Sequence, residues 1–203
     1  GKLKCLSKER RLSFSHQDEV TTPAYYSLRF PDTGLLSEMT ATDRSAIFRY
    51  TVEQGDSLYI LITPNNDHGN GTIHIDPDRQ EVSGCNPVSR LYQGQGKPAG
   101  FSGHFVVRFD RPFTVYGVYN EVSRHAGSTD MKQARELGAY IGFKLKPGES
   151  LKVKTASSFT SVEAARRNLD EEISGWNFEK VRKATEKKWN RRLSSITIET
   201  DDE

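Results

Sequence analysis

Up to Phe159 the chain is a succession of short runs in which β-branched and aromatic residues alternate with polar ones, each closed by Gly, Pro, Asn or Asp. Runs of period two with such borders are strand signals. They predict strands at 25–30, 35–42, 45–52, 57–63, 72–76, 101–110, 113–119, 138–146 and 150–159, with weaker ones near Leu12 and Val82. The borders carry turn chemistry. Pro31-Asp32-Thr33-Gly34 puts Gly where positive φ is easy, Asn70-Gly71 is a strong turn dipeptide, and Lys146-Pro147-Gly148-Glu149 joins the last two strands as a tight hairpin. About ten strands of this length suit two packed sheets, so the predicted fold class is mainly β, a two-sheet antiparallel β-sandwich.

Two stretches break the rhythm. Residues 83–100 carry four Gly and two Pro around Arg90, Leu91 and Tyr92, and residues 120–136 are polar with one weak helical stretch at 130–136. Long connections without structure of their own lean functional or mobile. From Thr160 the apolar period lengthens to that of a helix. Thr160 with Glu163 reads as a capping box, Val162, Ala165, Leu169 and Ile173 as one apolar stripe, and Gly175 as the stop. Asn177 is placed to cap a second helix, with Trp176 and Val181 as its hydrophobic staple. Phe178, Val181, Thr185, Trp189 and Leu193 then share one face, and basic residues from Lys180 to Arg192 fill a solvated remainder. These patterns predict helices at about 161–172 and 178–193, and at 196–200 a further strand or an exit into a neighbouring domain. The division expected is a β-sandwich domain over 1–159 and a helical linker over 160–203.

Composition narrows the function classes. At 203 residues there is enough chain for one substantial core. Hydrophobic content of 34% and a mean hydropathy of −0.68 are low, but the 28% of charged residues are interspersed rather than blocked, which argues against disorder. A net charge of +2 is too small for a nucleic-acid footprint. No apolar run approaches the roughly 20 residues that span a bilayer. Gly1-Lys2-Leu3-Lys4 reads as an interior cut or a mature end, not as a signal peptide. Cys5 and Cys85, far apart and without a CxxC partner, read as buried free thiols, with a disulfide between them the alternative.

Candidate chemistry is sparse. Glycosidic hydrolysis needs two carboxylates flanking the bond, and 27 acids offer no way to select a pair. Asp18 and Glu19 beside His16 read as a polar strand end, and Asn65-Asn66-Asp67-His68 lacks the Gly and bidentate Glu of a calcium loop. His74 and His104 lie in predicted strands and read as packing residues. There is no Gly-x-Ser-x-Gly elbow, and the glycines at 94, 96 and 100 lack the Lys-Ser/Thr ending of a phosphate loop. The best candidate is the segment 90–100. Tyr92 offers an aromatic face for sugar C–H groups, Gln93 and Gln95 planar amides, Arg90 a guanidinium, and the glycines allow close backbone approach.

The stretch Phe14-Ser15-His16-Gln17-Asp18-Glu19-Val20-Thr21-Thr22-Pro23-Ala24-Tyr25-Tyr26 is followed by Met39-Thr40-Ala41-Thr42-Asp43-Arg44, Val107-Arg108-Phe109-Asp110-Arg111-Pro112-Phe113 and Ser161-Val162-Glu163-Ala164-Ala165-Arg166-Arg167-Asn168-Leu169. In this order and spacing the chain resembles the N-terminal β-sandwich domain of glycoside hydrolase family 92, the calcium-dependent exo-α-mannosidases. The resemblance implies a galactose-mutarotase-like supersandwich followed by linker helices, and a C-terminal (α/α)6 barrel that this chain does not contain. That barrel would carry the catalytic carboxylates and the calcium, so no catalytic or metal residue is assigned here and the chain alone is expected to be inactive. The implied partners are that barrel and α-mannose-containing glycans. The implied location is periplasmic, cell-surface or secreted, and a family loop near Tyr92 and Gln93 is directed toward the mannose pocket. The rival expectation is a stand-alone carbohydrate-binding or cell-surface module on the same sandwich.

Overall fold

The computed structural model describes residues 3–64 and 70–196. Its strands are β1 (Glu19–Thr22), β2 (Tyr25–Phe30), β3 (Leu35–Ala41), β4 (Ser45–Val52), β5 (Ser57–Ile62), β6 (Thr72–Asp76), β7 (Glu81–Ser89), β8 (Pro98–Phe109), β9 (Val115–Tyr119), β10 (Arg124–Ala126), β11 (Asp130–Lys132), β12 (Gly138–Lys144) and β13 (Ser150–Ser158). Two helices follow, α1 (Val162–Glu172) and α2 (Phe178–Leu193). A nine-stranded sheet runs β1-β2-β3-β4-β13-β8-β7-β6-β11, and a four-stranded sheet runs β10-β9-β12-β5. Every pairing is antiparallel. The mainly-β, two-sheet expectation with two C-terminal helices holds.

The central strands of the large sheet bury both faces, and alternation divides their residues cleanly. Val107, Phe109, Leu151 and Val153 face the small sheet and meet Leu58, Val118, Ile141 and Phe143 in the main core. Their neighbours Val106 and Ala156, with Ile47, face the other way and meet Ala165, Leu169, Ile173 and Phe178 of the helical layer. Each fully buried aliphatic side chain of this kind contributes about 1.5–3 kcal/mol. The order of layers is therefore helices, large sheet, small sheet, and finally the N-terminal segment, whose Leu3 and Cys5 cover Tyr119 and Tyr140 on the small sheet's outer face.

The helices are fastened by charge as well as by packing. Glu81, 1% exposed, accepts from Nε of Arg108 in β8 and Nε of Arg166 in α1, both at 2.8 Å. Glu38 of β3 accepts from Arg49 Nε and Nη2, each at 2.5 Å, and from Tyr25 Oη at 2.9 Å. Arg49 also lies over the Phe178 ring, 4.4 Å from its centroid, and so ties α2 to the sheet. Buried Lys154 donates to Ile173 O at 2.9 Å and sits over Trp176. Burial, with Arg108 nearby, lowers its pKa. Helices α1 and α2 thus form a layer over the large sheet.

Several local expectations change. Residues near Leu12 form no strand, and Leu12 is exposed. Helix at 130–136 is excluded because Gln133 and Glu136 adopt φ of 53° and 48°, and β11 pairs with β6 instead. The cap of α1 is Ser161, whose Oγ accepts from Ala164 N at 3.0 Å, while Thr160 Oγ1 is bonded to Ser158. That helix ends before Gly175, with Ile173 N returning to Leu169 O. Asn177 caps α2 as expected. The apolar stripe of α2 is only half used, since Trp189 and Leu193 are exposed. His74 is a surface residue, its Nδ1 2.8 Å from Asp130 Oδ1 directly across the β6–β11 pair. Both cysteines are free, Cys5 buried and Cys85 half-buried. The Asn65-Asn66-Asp67-His68 cluster and residues 197–200 of the expected last strand lie outside the described residues.

Candidate functional site

Residues 83–100, expected to lack structure, form most of a hairpin arm. β7 and β8 pair from Glu81↔Arg108 to Ser89↔Pro98. The other neighbour of β8 stops at Ser158↔His104, and that of β7 stops at Thr72↔Cys85. Beyond Cys85 and His104 the two strands pair only with each other, so about 15 Å of two-stranded ribbon projects from the sheet at some 3.3 Å per residue. Between Pro87↔Ser102 and Ser89↔Pro98 one residue, Val88, spans the same length as Ala99, Gly100 and Phe101. Gly100, at φ 90°, takes that bulge.

Arg90 N donates to Lys97 O at 2.9 Å and Gly96 N to Arg90 O at 3.0 Å, closing the tip, with Gly94 and Gly96 both at φ 80°. Only glycine adopts that φ twice in so short a loop without strain. The tip holds Arg90, Tyr92, Gln93 and Gln95 in the solvent, Tyr92 at 86% exposure. None of these four side chains has a hydrogen-bond or ion-pair partner among the described residues. At the root of the arm lies a second aromatic feature, which no local sequence signal singles out. Phe101 and Phe159, both exposed, meet edge to face at 5.4 Å. Beside them a cleft of about 560 Å³ is lined by Gly103, Phe159, Arg167, Glu171, Asp43 and Arg44.

The other candidate groups come together only as surface pairs. His16 Nδ1 lies 2.6 Å from Glu19 Oε2, and Tyr26 Oη donates to Glu19 Oε1 at 2.7 Å. The hydrogen bond from His16, then that from Tyr26, holds the Glu19 carboxyl below its ordinary range. Asp18 does not join them. The buried acids Glu81 and Glu38 are committed to arginines, so neither is available as a general acid. Calcium takes six to eight oxygen ligands. Among the described residues no group of three or more His, Cys, Asp or Glu is placed to hold a metal ion. No described helix is long and apolar enough to cross a membrane.

Comparison with known proteins agrees with this fold. The chain is 32% identical to an inverting mannosidase, BT2199, from Bacteroides thetaiotaomicron, with a TM-score of 0.85 over 98% of this chain and 26% of that one. It is 27% identical to the α-mannosidase BT3965 of the same organism, with a TM-score of 0.78 over 94% of this chain and 26% of that one. An uncharacterized secreted glycosidase of Arthroderma benhamiae is 26% identical over 226 residues, 97% of this chain and 28% of the relative. The chain therefore spans little more than a quarter of the length of these relatives. The family model of the glycosyl hydrolase family 92 catalytic domain matches residues 164–203, which include most of α1 and all of α2. The model of the family's N-terminal domain matches residues 1–158, and the chain belongs to glycosyl hydrolase family 92.

Proposed function

We propose that this chain is the N-terminal part of an inverting exo-α-mannosidase, acting on α-mannose-containing glycans at the cell surface, in the periplasm or outside the cell. Its part in the reaction is positioning. The arm carries Arg90, Tyr92, Gln93 and Gln95 toward the mannose pocket of a following barrel, where the Tyr92 ring packs on sugar C–H groups and the amides and guanidinium bond hydroxyls. The carboxylates that protonate the leaving oxygen and activate water belong to the barrel, as does the calcium, and no step is assigned to either here. One observation carries the reading: the arm projects past both neighbouring strands and ends in the exposed, unpaired Arg90, Tyr92, Gln93 and Gln95. The catalytic-domain match over 164–203 supports the enzyme over a stand-alone binding module.

The test is kinetic, in a polypeptide that joins this chain to a family 92 catalytic domain. Tyr92→Ala and Gln93→Ala should each lower kcat/KM toward α-linked mannobiose by about tenfold, the equivalent of one lost contact of roughly 1.4 kcal/mol. Residues 1–203 alone should release no mannose. Unchanged kinetics with unchanged stability would remove the arm from the pocket, and turnover by residues 1–203 alone would place the carboxylates within them.

A further inference from the structure

The outer face of the small sheet carries a repeated arrangement that neither the main core nor the arm uses. In the register of β5, β9 and β12, tyrosine stands opposite glycine three times: Tyr119 with Gly138, Tyr140 with Gly117, and Tyr59 with Gly142. Each ring lies across its glycine. A Cβ on Gly138 would sit 2.4 Å from Tyr119 Cζ, one on Gly117 2.5 Å from Tyr140 Oη, and one on Gly142 2.7 Å from Tyr59 Cε1. Rings that cover cross-strand glycines are held against the sheet instead of swinging free. The N-terminal segment covers the first two rings and leaves Tyr59 41% exposed. A groove of about 790 Å³ passes over it, bounded by that segment and the turn at 120–123.

The rim of the groove is polar and has bonding capacity to spare. Glu9 has no hydrogen-bond or ion-pair partner for its side chain among the described residues. Arg124 donates Nη1 to Leu3 O at 3.1 Å, which leaves further guanidinium donors. Asn120 accepts through Oδ1 from the Val122 and Ser123 amides, so its NH2 group is available.

We propose that this groove is a second carbohydrate-binding site, in which a pyranose ring stacks on the exposed face of Tyr59 while its hydroxyls pair with Glu9, Arg124 and Asn120. Gly142 fixes the ring before any ligand arrives, which spares the ordering cost of binding. Two acids, Glu9 and Glu121, stand on the rim beside Arg124, and Glu121 is itself paired with Arg135 at 4.0 Å, a near balance that favours a neutral polyhydroxyl ligand over an ion. A protein partner would need some 800 Å² of complementary surface, far more than the few exposed apolar side chains here provide. The helices where the catalytic-domain match begins cover the far side of the large sheet, two layers away. A glycan held at Tyr59 is therefore tethered to the enzyme apart from the arm. The ligand class rests on the proposed reading of the chain as part of a glycan-acting enzyme; the groove and its fixed ring do not.

The test is a ¹H–¹⁵N NMR titration of the 203-residue chain with α-linked mannobiose and, separately, with cellobiose. Saturable shifts are expected at the amides of Tyr59, Gly142, Val115 and Arg124. Tyr59→Ala should weaken binding by about tenfold or more, and Tyr59→Phe, which keeps the ring, by no more than about threefold. Glu9→Ala, at an exposed position, should weaken it by roughly threefold and guards against a folding defect in the first variant. Shifts confined to residues 90–97, no shift with either sugar at about 50 mM, or equal affinity in Tyr59→Ala would overturn the proposal, since even a single-ring stack should register in that range. Cellobiose binding at Tyr59 without a response to mannobiose upholds the groove and counts against the mannoside reading. Mannoside turnover by the longer enzyme with no shift on this face does the reverse.

Discussion

Arg44, in the turn between β3 and β4, gives both its backbone N–H and its Nε to the carboxylate of Glu172, at 2.9 and 2.7 Å. Thr42 Oγ1 adds a third donor at 2.5 Å. The last residue of α1 is thereby locked to the end of the sheet, beside the cleft at the root of the arm. Burial alone would raise the Glu172 pKa, but the donors from Thr42 and Arg44 outweigh it and hold the carboxyl below its ordinary value of 4.5.

That depression fixes the sign of a pH effect. The unfolded carboxyl takes up its proton first as pH falls, so this contribution is complete above about pH 4.5 and is lost as pH drops through the lower folded value. Urea unfolding at pH 7 should show Glu172→Gln less stable by about 1.5–3 kcal/mol, the range for bonds to a charged group. Between pH 5 and 3, on the order of the carboxylate range, the wild-type chain should lose stability more steeply than the variant. Parallel pH curves for the two would show that Glu172 is not held in this way.

Glu81 supports a larger prediction. It is fully buried between Arg108 and Arg166, and Arg108 also donates to Asp170 at 2.6 Å. Glu81→Ala strands two half-buried guanidinium groups and should cost about 3–5 kcal/mol. Amide exchange in α1 should accelerate with it, because Arg166 and Asp170, both in α1, belong to the cluster. A loss below about 1 kcal/mol would mean that water replaces the carboxylate without penalty.

The glycines under the tyrosines separate packing from backbone preference. Gly138→Ala puts a methyl 2.4 Å from the Tyr119 ring and 2.8 Å from Ile62 O, and the latter is backbone in a paired strand. It should destabilise by about 1–3 kcal/mol. Gly175→Ala meets nothing within 4 Å and should stay within about 0.5 kcal/mol of wild type. Equal melting temperatures for the two variants would contradict the Tyr119–Gly138 contact.

Much of this architecture is legible from alternation, because strands with one face in a core must repeat every second residue. β2, β4 and β6 begin and end where period and turn residues place them, and Asn177 caps α2 through the chemistry its sequence suggests. The arm is not legible. Gly84, Pro87, Pro98 and Gly100 lower strand propensity throughout 83–100, and only pairing between β7 and β8 overrides that preference. Burial of charge is equally hidden, since nothing local distinguishes Glu81 or Lys154 from surface residues. The sugar-type residues at 90–95 stand out by composition alone, whereas Tyr59 gains its meaning from a register that places Gly142 opposite it.

The arm itself should behave as two mechanical parts. Glu81 to Cys85 lie in a ladder with β6 on one side and β8 on the other, whereas the rungs beyond Asn86↔Gly103 have no third strand. An isolated two-stranded ribbon is marginally stable in water, and regions with few buried contacts open at low free energy. Amide exchange in the 203-residue chain should therefore be slow at Val82 and Val107 and faster by about a hundredfold or more at Ser89 and Ala99, a gap of roughly 2.7 kcal/mol in opening free energy. Tyr92→Ala should leave the melting temperature unchanged, because the ring is 86% exposed and touches nothing that holds the fold. If a following domain receives the arm, joining it should slow exchange at Ser89 and Ala99 while leaving Val82 unaffected. Slow exchange along the whole arm in the 203-residue chain would show that the ribbon is stable alone and has no need of that support.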